Sequence, residues 1–499
     1  MYTTTFLVHS GRQTARAAQA INPPLVRAST VVFDTLAAYK HAHHQTVFDS
    51  PRYGRSGTST TFELQRCMAA LSGAETCLAT ASGLAAIVAV LSAHAGPGRH
   101  LLLNQGVYGP TRIFCDQELV PQGTTVEYFP EGADIAPYLR DNTSLVYIET
   151  PASLTMEMLD VRAVCAAARQ RRIPVAVDAT WGTPVFFDAH ALGVHIAIHS
   201  ATKYINGHSD LMLGLITGSH ADLASTRRFC DRSGAHAAPD VCWLALRGLR
   251  TLAVRLERHQ QTALATAQWL QEQPQVRRVL FPALPSDPGH ALWRAQFSGA
   301  AGPFTFELAP CSEAAFAAFI DALALFGLGT SWGGYESLAV PSDPAPIQPR
   351  DNSSVTIHIT SFERPRPPNA SGIQTPKVPR SAIACTVASG ISALARCQPC
   401  ACGMISASVK RRVSNTRCGE TMALKRVAGR FCGRSSISLA RATAAGATLV
   451  AARSSGRARR SGAVAEFTRP LRTRRSRPGA DSANQGAGGG GAAGAGWVS

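Results

Sequence analysis

Between residues 56 and 245, short and nearly continuous apolar runs alternate with longer stretches of helical spacing. HLLLN (100–104), SLVYIET (144–150), PVAVDAT (174–180) and HIAIHSATKY (195–204) have the length and unbroken apolarity of strands buried on both faces. TTFELQRCMAALSG (60–73) has helical periodicity and is closed by Gly73. This alternation predicts an α/β domain whose mostly parallel sheet is covered by helices on both sides. Residues 246–360 open on a long helical stretch, LRTLAVRLERHQQTALATAQWLQEQ (249–273). They continue through RRVLFPAL (277–284) and GPFTFELAP (302–310), a pattern suited to a smaller α+β domain. Residues 1–55 predict an extended arm bearing Pro and Thr, of the kind that lies on a neighbouring subunit.

After residue 361 the periodicity fails. SFERPRPPNASGIQTPKVPRS (361–381) has the composition of a Pro-rich linker, and an Arg-, Ala- and Gly-rich tail to residue 499 follows, expected to be disordered. Charge divides at the same place. Residues 1–360 hold 26 Lys+Arg against 28 Asp+Glu, while residues 361–499 hold 23 against 4. The overall +17 therefore belongs to the tail, and the folded part is not a basic nucleic-acid binder. The tail runs RARR and RTRRSR could bind nucleic acid electrostatically, but aromatics are nearly absent there, and a solvated tail is the preferred reading. CQPCAC places Cys397, Cys400 and Cys402 close together, but zinc sites need two well-spaced pairs, so no metal is assigned. The opening residues lack an apolar signal region, no stretch is apolar enough to span a membrane, and the scattered cysteines suit a reducing compartment; a cytoplasmic enzyme is expected.

Candidate chemistry begins with Lys203. Residues 1–360 contain two lysines, Lys40 and Lys203, against 24 arginines. A lysine kept at the end of an apolar strand in so Arg-biased a chain points to an amine that must lose its proton. Asp178 ends another apolar run, where a strand delivers a carboxylate to the ligand-binding edge of a parallel sheet. A carboxylate there can keep a pyridine nitrogen protonated. Ser200 and Thr202 flank the lysine with hydroxyls suited to phosphate oxygens, and Ser82–Gly83 precede a helix whose N–H groups can hold a phosphate. Tyr108, in NQGVYGP, is placed to lie over a cofactor ring.

These residues stand in segments that resemble the Cys/Met-metabolism family of pyridoxal-phosphate enzymes over residues 1–340. The segments are SATKYINGHSDLMLG (200–214), YGRSGTSTTFELQ (53–65), ASGLAAI (81–87), NQGVYGPTR (104–112), VDATWGTPVFFDAHALGV (177–194), LRGLRTL (246–252) and SWGGYESL (331–338). The resemblance implies a fold-type I architecture and pyridoxal 5'-phosphate as cofactor. It implies that Lys203 carries the cofactor covalently and moves the Cα proton, with Asp178 at the pyridine nitrogen and Tyr108 on the ring. Ser82, Gly83, Leu84, Ser200 and Thr202 would surround the phosphate. Tyr53 and Arg55 would reach the partner's site, Tyr53 with a catalytic part, in a homotetramer built from dimers. Ser331 and Trp332 would line the substrate pocket. YGRSGT and SWGGYES are similar to the branch that cleaves the Cβ–S bond of cystathionine or other cysteine S-conjugates, in methionine biosynthesis; the γ-branch of the same family is the alternative. A basic nucleic-acid binder carrying a decayed enzyme domain is the alternative of another class.

The chain departs from the family at Ala179, His195 and Trp243, where an Asn, an acidic residue and a tyrosine are usual. The larger departure is near the end. In VTIHIT, Thr356 occupies the place of the arginine that grips the substrate α-carboxylate, and Arg350 could replace it only by rearrangement. The helix expected to complete the small domain gives way to SFERPRPPNASG, as a frame change near residues 341–362 would produce. A protein that binds cofactor but turns over poorly is the expectation.

Overall fold

The computed structural model describes residues 3–10, 21–44, 48, 50–342 and 356–360. The basic tail, its cysteines and Arg350 lie outside the described residues. The arm carries helices α1 (Thr3–His9) and α2 (Leu36–His44). Next come α3 (Ser59–Leu71), β1 (Thr76–Thr80), α4 (Gly83–His94), β2 (His100–Asn104), α5 (Gly109–Phe114), β3 (Thr125–Phe129) and β4 (Thr143–Glu149). The next elements are α6 (Val161–Gln170), β5 (Val175–Asp178), α7 (Thr183–Phe186), β6 (Ile196–Ser200), β7 (Gly214–Gly218), α8 (Ala224–Ser233), α9 (Pro239–Leu249) and α10 (Leu252–Gln271). The last are β8 (Val276–Leu280), α11 (His290–Gln296), β9 (Phe304–Leu308), α12 (Glu313–Asp321), β10 (Leu338–Ser342) and β11 (Thr356–Thr360).

Seven strands form one sheet in the order β1-β7-β6-β5-β4-β2-β3. Only β7 runs against its neighbours, so the sheet is mostly parallel, as expected. The four apolar runs are strands β2, β4, β5 and β6, and their period of two feeds two cores. In β4, Val146 and Ile148 enter one core while Leu145 and Tyr147 enter the other. In β6, Ala197 faces the first and Ile196 and Ile198 the second. Burial on both faces is why these runs lack polar alternation. Helix starts are fixed locally: the Ser82 hydroxyl accepts from Ala85 N at 3.1 Å, and the Asp160 carboxylate from Ala163 N at 3.0 Å.

A second, antiparallel sheet has the order β10-β11-β9-β8. Phe304, Phe306, Leu308, Ile357 and Ile359 turn one of its faces into the larger core. Thr305, Glu307, Thr356 and His358 alternate with them on the opposite face.

The arm differs from its expectation in two ways. It holds helices rather than extended chain alone, because Leu7 is buried in the core beside α3 and α10. Part of it also docks on its own chain: the Trp243 indole donates to Pro23 O at 3.0 Å, and the Thr60 hydroxyl bridges Pro24 O and Val26 N at 2.9 and 2.8 Å. Trp243, a departure from the family pattern, thus anchors the arm. Ile21, Val32 and Leu36 remain well exposed.

Candidate functional site

The parallel strands β2, β4, β5 and β6 end on one edge at Asn104, Glu149, Asp178 and Ser200. This is where an open α/β sheet holds a ligand. The chain leaves β6 at Ser200, three residues short of Lys203, so Lys203 stands in the turn beyond the strand. The Lys203 N–H donates to Ser200 O at 3.0 Å, tying that turn to the strand end.

Burial pulls the Lys203 amine down to about 8, against the opposing charges of Asp178 and Glu336. Lys203 Nζ donates to Ser331 Oγ at 2.7 Å and lies 5.1 Å from the centre of the Trp332 ring. The two residues come from a loop 128 positions away, and the backbone shows why it runs so close. A Cβ on Gly333 (φ 87°) would stand 2.9 Å from Tyr204 N and 3.0 Å from Lys203 C, so the loop approaches the lysine backbone where only glycine fits. Ser331 itself holds φ 136°, a strained conformation of a kind found at ligand sites. Glu336 accepts from the Ser209 hydroxyl at 2.6 Å, latching the 331–336 loop to the turn after Lys203.

Asp178 is buried, and burial raises its carboxyl while the Thr180 hydroxyl and N–H and the Lys203 charge lower it. The Thr180 N–H donates to Asp178 Oδ1 at 3.0 Å, and no other residue's bond to the carboxylate appears among those of the described residues. Tyr108 is 43% exposed, and partial burial, then the charges of Glu149 and Asp178, raise its phenol. Gly83 opens α4 directly against Ser200: a Cβ there would meet Ser200 Oγ at 2.5 Å and Ser200 Cβ at 2.6 Å. The first N–H groups of α4, including Gly83 and Leu84, thus share one corner with the Ser200 hydroxyl, and Leu84 is exposed. The Ser82 hydroxyl is engaged as the cap of α4, and the Thr202 hydroxyl bridges Leu213 N and O at 3.0 and 3.3 Å.

These residues fit a pyridoxal phosphate. An amine that can be neutral, a carboxylate with open lone pairs, an exposed aromatic and a helix N-terminus beside a hydroxyl are the four contacts that such a group requires. Tyr53 and Arg55 do not join them within one chain. Tyr53 is 48% exposed, and the Arg55 guanidinium donates to Asp231 O at 2.8 Å on α8.

The residues from the sequence reading leave out Glu149. Its carboxyl is pushed well above the usual range by burial and by Asp178, its register partner on β5. It ends SLVYIET as Asp178 ends IPVAVDAT, so the same signal was present. His358 was also passed over. Burial lowers its imidazole to about 4, with the Lys203 charge adding to the effect, so His358 lies within electrostatic reach of the lysine.

A family model described as Cys/Met metabolism PLP-dependent enzyme matches residues 4–350. Among curated proteins, cystathionine beta-lyase MetC of Escherichia coli (strain K12) is 38% identical over 369 residues, 71% of this chain and 93% of its own. Cystathionine beta-lyase of Salmonella typhimurium is 39% identical over 349 residues, 69% of this chain and 88% of its own. Among solved structures, a cystathionine gamma synthase from Xanthomonas oryzae pv. oryzae aligns with TM-score 0.69 at 28% identity, covering 80% of this chain and 100% of that one.

Proposed function

The chain belongs to the Cys/Met metabolism family of pyridoxal-phosphate-dependent enzymes, and from that premise we propose that it is a carbon–sulfur β-lyase acting on cystathionine or a related cysteine S-conjugate. The observation that carries the reading is the Lys203 amine, lowered to about 8 and set between Asp178 and the Ser331 loop. The β-branch is favoured by the Ser331–Trp332 pair at the amine and by two relatives of 38% and 39% identity that carry the β-lyase name.

When bound, pyridoxal phosphate supplies an electron sink for negative charge at the substrate Cα. The rest is the work of this chain. Lys203 holds the cofactor and, as a neutral amine, takes the Cα proton. Asp178 would keep the ring nitrogen of the bound group protonated, and Tyr108 would cover its ring. Gly83, Leu84 and Ser200 hold the phosphate, with Ser82 and Thr202 fixing the backbone around them. Ser331 orients the Lys203 amine, and Trp332 walls the substrate side. The net reaction takes cystathionine and water to homocysteine, pyruvate and ammonia.

Tyr53, exposed on its own chain, and Arg55, bonded there to Asp231 O, serve the site of a second copy, in a homotetramer built from dimers. The exposed arm residues Ile21, Val32 and Leu36 support that assembly. Seven free cysteines among the described residues, six of them buried, suit a reducing cytoplasm. No described helix is long and apolar enough to cross a membrane. We divide the chain into an arm (1–55), a cofactor domain (56–245) and a small domain (246–360), followed by the basic tail.

Product analysis tests the reading. Purified protein with pyridoxal phosphate and cystathionine should release pyruvate; 2-oxobutyrate in its place would assign the γ-branch, and neither product would reject the activity. Two further outcomes follow from the geometry. Because the neutral amine is the attacking form, cofactor loading of the apoprotein should quicken by ~10-fold per pH unit below about 8 and level off above it. A rate still climbing with unit slope at pH 10 would mean the amine is not desolvated. Gly83→Ala should lower the thermal midpoint and weaken cofactor binding, because overpacking against backbone-anchored Ser200 costs about 1–3 kcal/mol. A scanning calorimetry trace and a cofactor titration unchanged from the parent would contradict the close approach.

A further inference from the structure

Two carboxylates end neighbouring strands in register, Glu149 on β4 and Asp178 on β5. Asp178 has Lys203 to answer it, while Glu149 Oε2 accepts the backbone N–H of Tyr108 at 2.6 Å. That bond is one of several that brace the 105–108 loop. Glu131 Oε1 accepts from Gly106 N at 2.6 Å, and the Arg112 guanidinium donates to Gln105 O at 2.9 Å. Asn104 locks both acids in place. Its Nδ2 donates to Glu131 Oε1 at 2.9 Å and to Glu149 O at 3.1 Å, and its Oδ1 accepts from Glu149 N at 2.9 Å. A Cβ on Gly106 would stand 2.6 Å from Glu131 Oε1 and 2.4 Å from Ala152 Cβ, so the loop is held against these groups at van der Waals limits.

The backbone of the loop is thus fixed at successive points, while the Tyr108 ring stays 43% exposed. A braced backbone that leaves its aromatic ring uncovered is an arrangement for presenting that ring to a ligand. A carboxyl group suits the task because its oxygen accepts the Tyr108 N–H at 2.6 Å whether or not the acid keeps its proton.

We propose that Glu149 is a positioning residue: through the Tyr108 N–H it sets the height and tilt of the Tyr108 ring over the cofactor. The inference rests on the reading of Tyr108 as the ring's cover. Glu149 touches neither substrate nor cofactor in this role. It acts through Tyr108 alone, and that sets the test.

The test is a double-mutant cycle on the full chain, read as the dissociation constant for pyridoxal phosphate and as the circular dichroism of the bound cofactor. Glu149→Ala should weaken cofactor binding about tenfold, the size of one lost hydrogen bond, and reduce the dichroism band. Glu149→Gln keeps an acceptor oxygen and should stay within about threefold of the parent. In a Tyr108→Ala background, Glu149→Ala should add less than about twofold, because the ring it positions is gone. Should Glu149→Ala prove insoluble, Glu149→Asp replaces it: the carboxyl remains, the reach shortens, and the same collapse of effect in the Tyr108→Ala background is expected. An equal effect in both backgrounds, or Glu149→Gln as damaging as Glu149→Ala, would overturn the inference. Tyr108→Ala with unaltered affinity and dichroism would overturn the reading of Tyr108 itself, and this inference with it. Tyr108→Ala weakening the cofactor while Glu149→Ala leaves it intact would overturn the inference alone.

Discussion

Lys203→Ala should abolish the visible absorbance of protein-bound cofactor and cut pyruvate release from cystathionine by roughly 10²–10⁴-fold, the range of a lost proton-transferring residue. The size of the effect follows from how much converges on one atom. The Lys203 amine is half-buried, lowered to about 8, and hydrogen-bonded to Ser331 at 2.7 Å. No other described lysine is so placed; Lys40, on α2, is exposed. Truncation removes the covalent attachment and the base together. Small primary amines added to the variant should restore part of the rate, since they supply a base without the attachment. Lys203→Arg should not be rescued, because a guanidinium fills the space and keeps its proton. Activity of Lys203→Ala within about tenfold of the parent would remove the lysine from the chemistry.

Thr356→Arg should raise activity. Thr356 is buried on β11, on the face it shares with His358, whose imidazole senses the Lys203 charge. Its hydroxyl cannot make the two parallel N–H···O bonds by which a guanidinium holds a carboxylate. Its register partner Glu307 is nearly fully buried, and both its oxygens are already held by Arg278, at 2.8 Å each. An arginine at 356 would therefore meet a neutralised neighbour and remain available to the substrate. A charged contact of about 2 kcal/mol corresponds to ~30-fold in kcat/KM. The α-carboxylate is bound equally in ground and transition states, so the gain should appear in KM, with kcat nearly constant. Steady-state kinetics on cystathionine would decide it. An unchanged or raised KM in a variant that folds and holds cofactor would mean that the substrate carboxylate is gripped elsewhere.

The fold was legible where burial dominates. β2, β4, β5 and β6 are buried on both faces, and such strands must be written as unbroken apolar runs. β7, GLITG, was not legible: its two glycines and short length carry no strand signature, and its place between β1 and β6 is a tertiary matter. α1 escaped notice because a seven-residue helix has too little periodicity to announce itself, and docking of Leu7 is what holds it. In the site, Lys203 and Asp178 were readable from chemistry at strand ends. Glu149 carried the same signal and was missed because one carboxylate had already satisfied the pattern. The strained backbone of Ser331 and the glycine-only approach at Gly333 have no signature in the sequence, since they arise where their loop meets the Lys203 turn, more than a hundred residues away. The substitution at Thr356 was visible by resemblance. Its consequence rests on Glu307 and Arg278, which only strand register brings beside it.

The central claim is that Lys203 carries the cofactor. Borohydride reduction of the cofactor-loaded protein, followed by proteolysis and peptide mass mapping, reads the attachment directly. The pyridoxyl mass should appear on the peptide containing Lys203 and on no other lysine. An unlabelled Lys203 peptide, or a label on Lys40 in its place, would contradict the account.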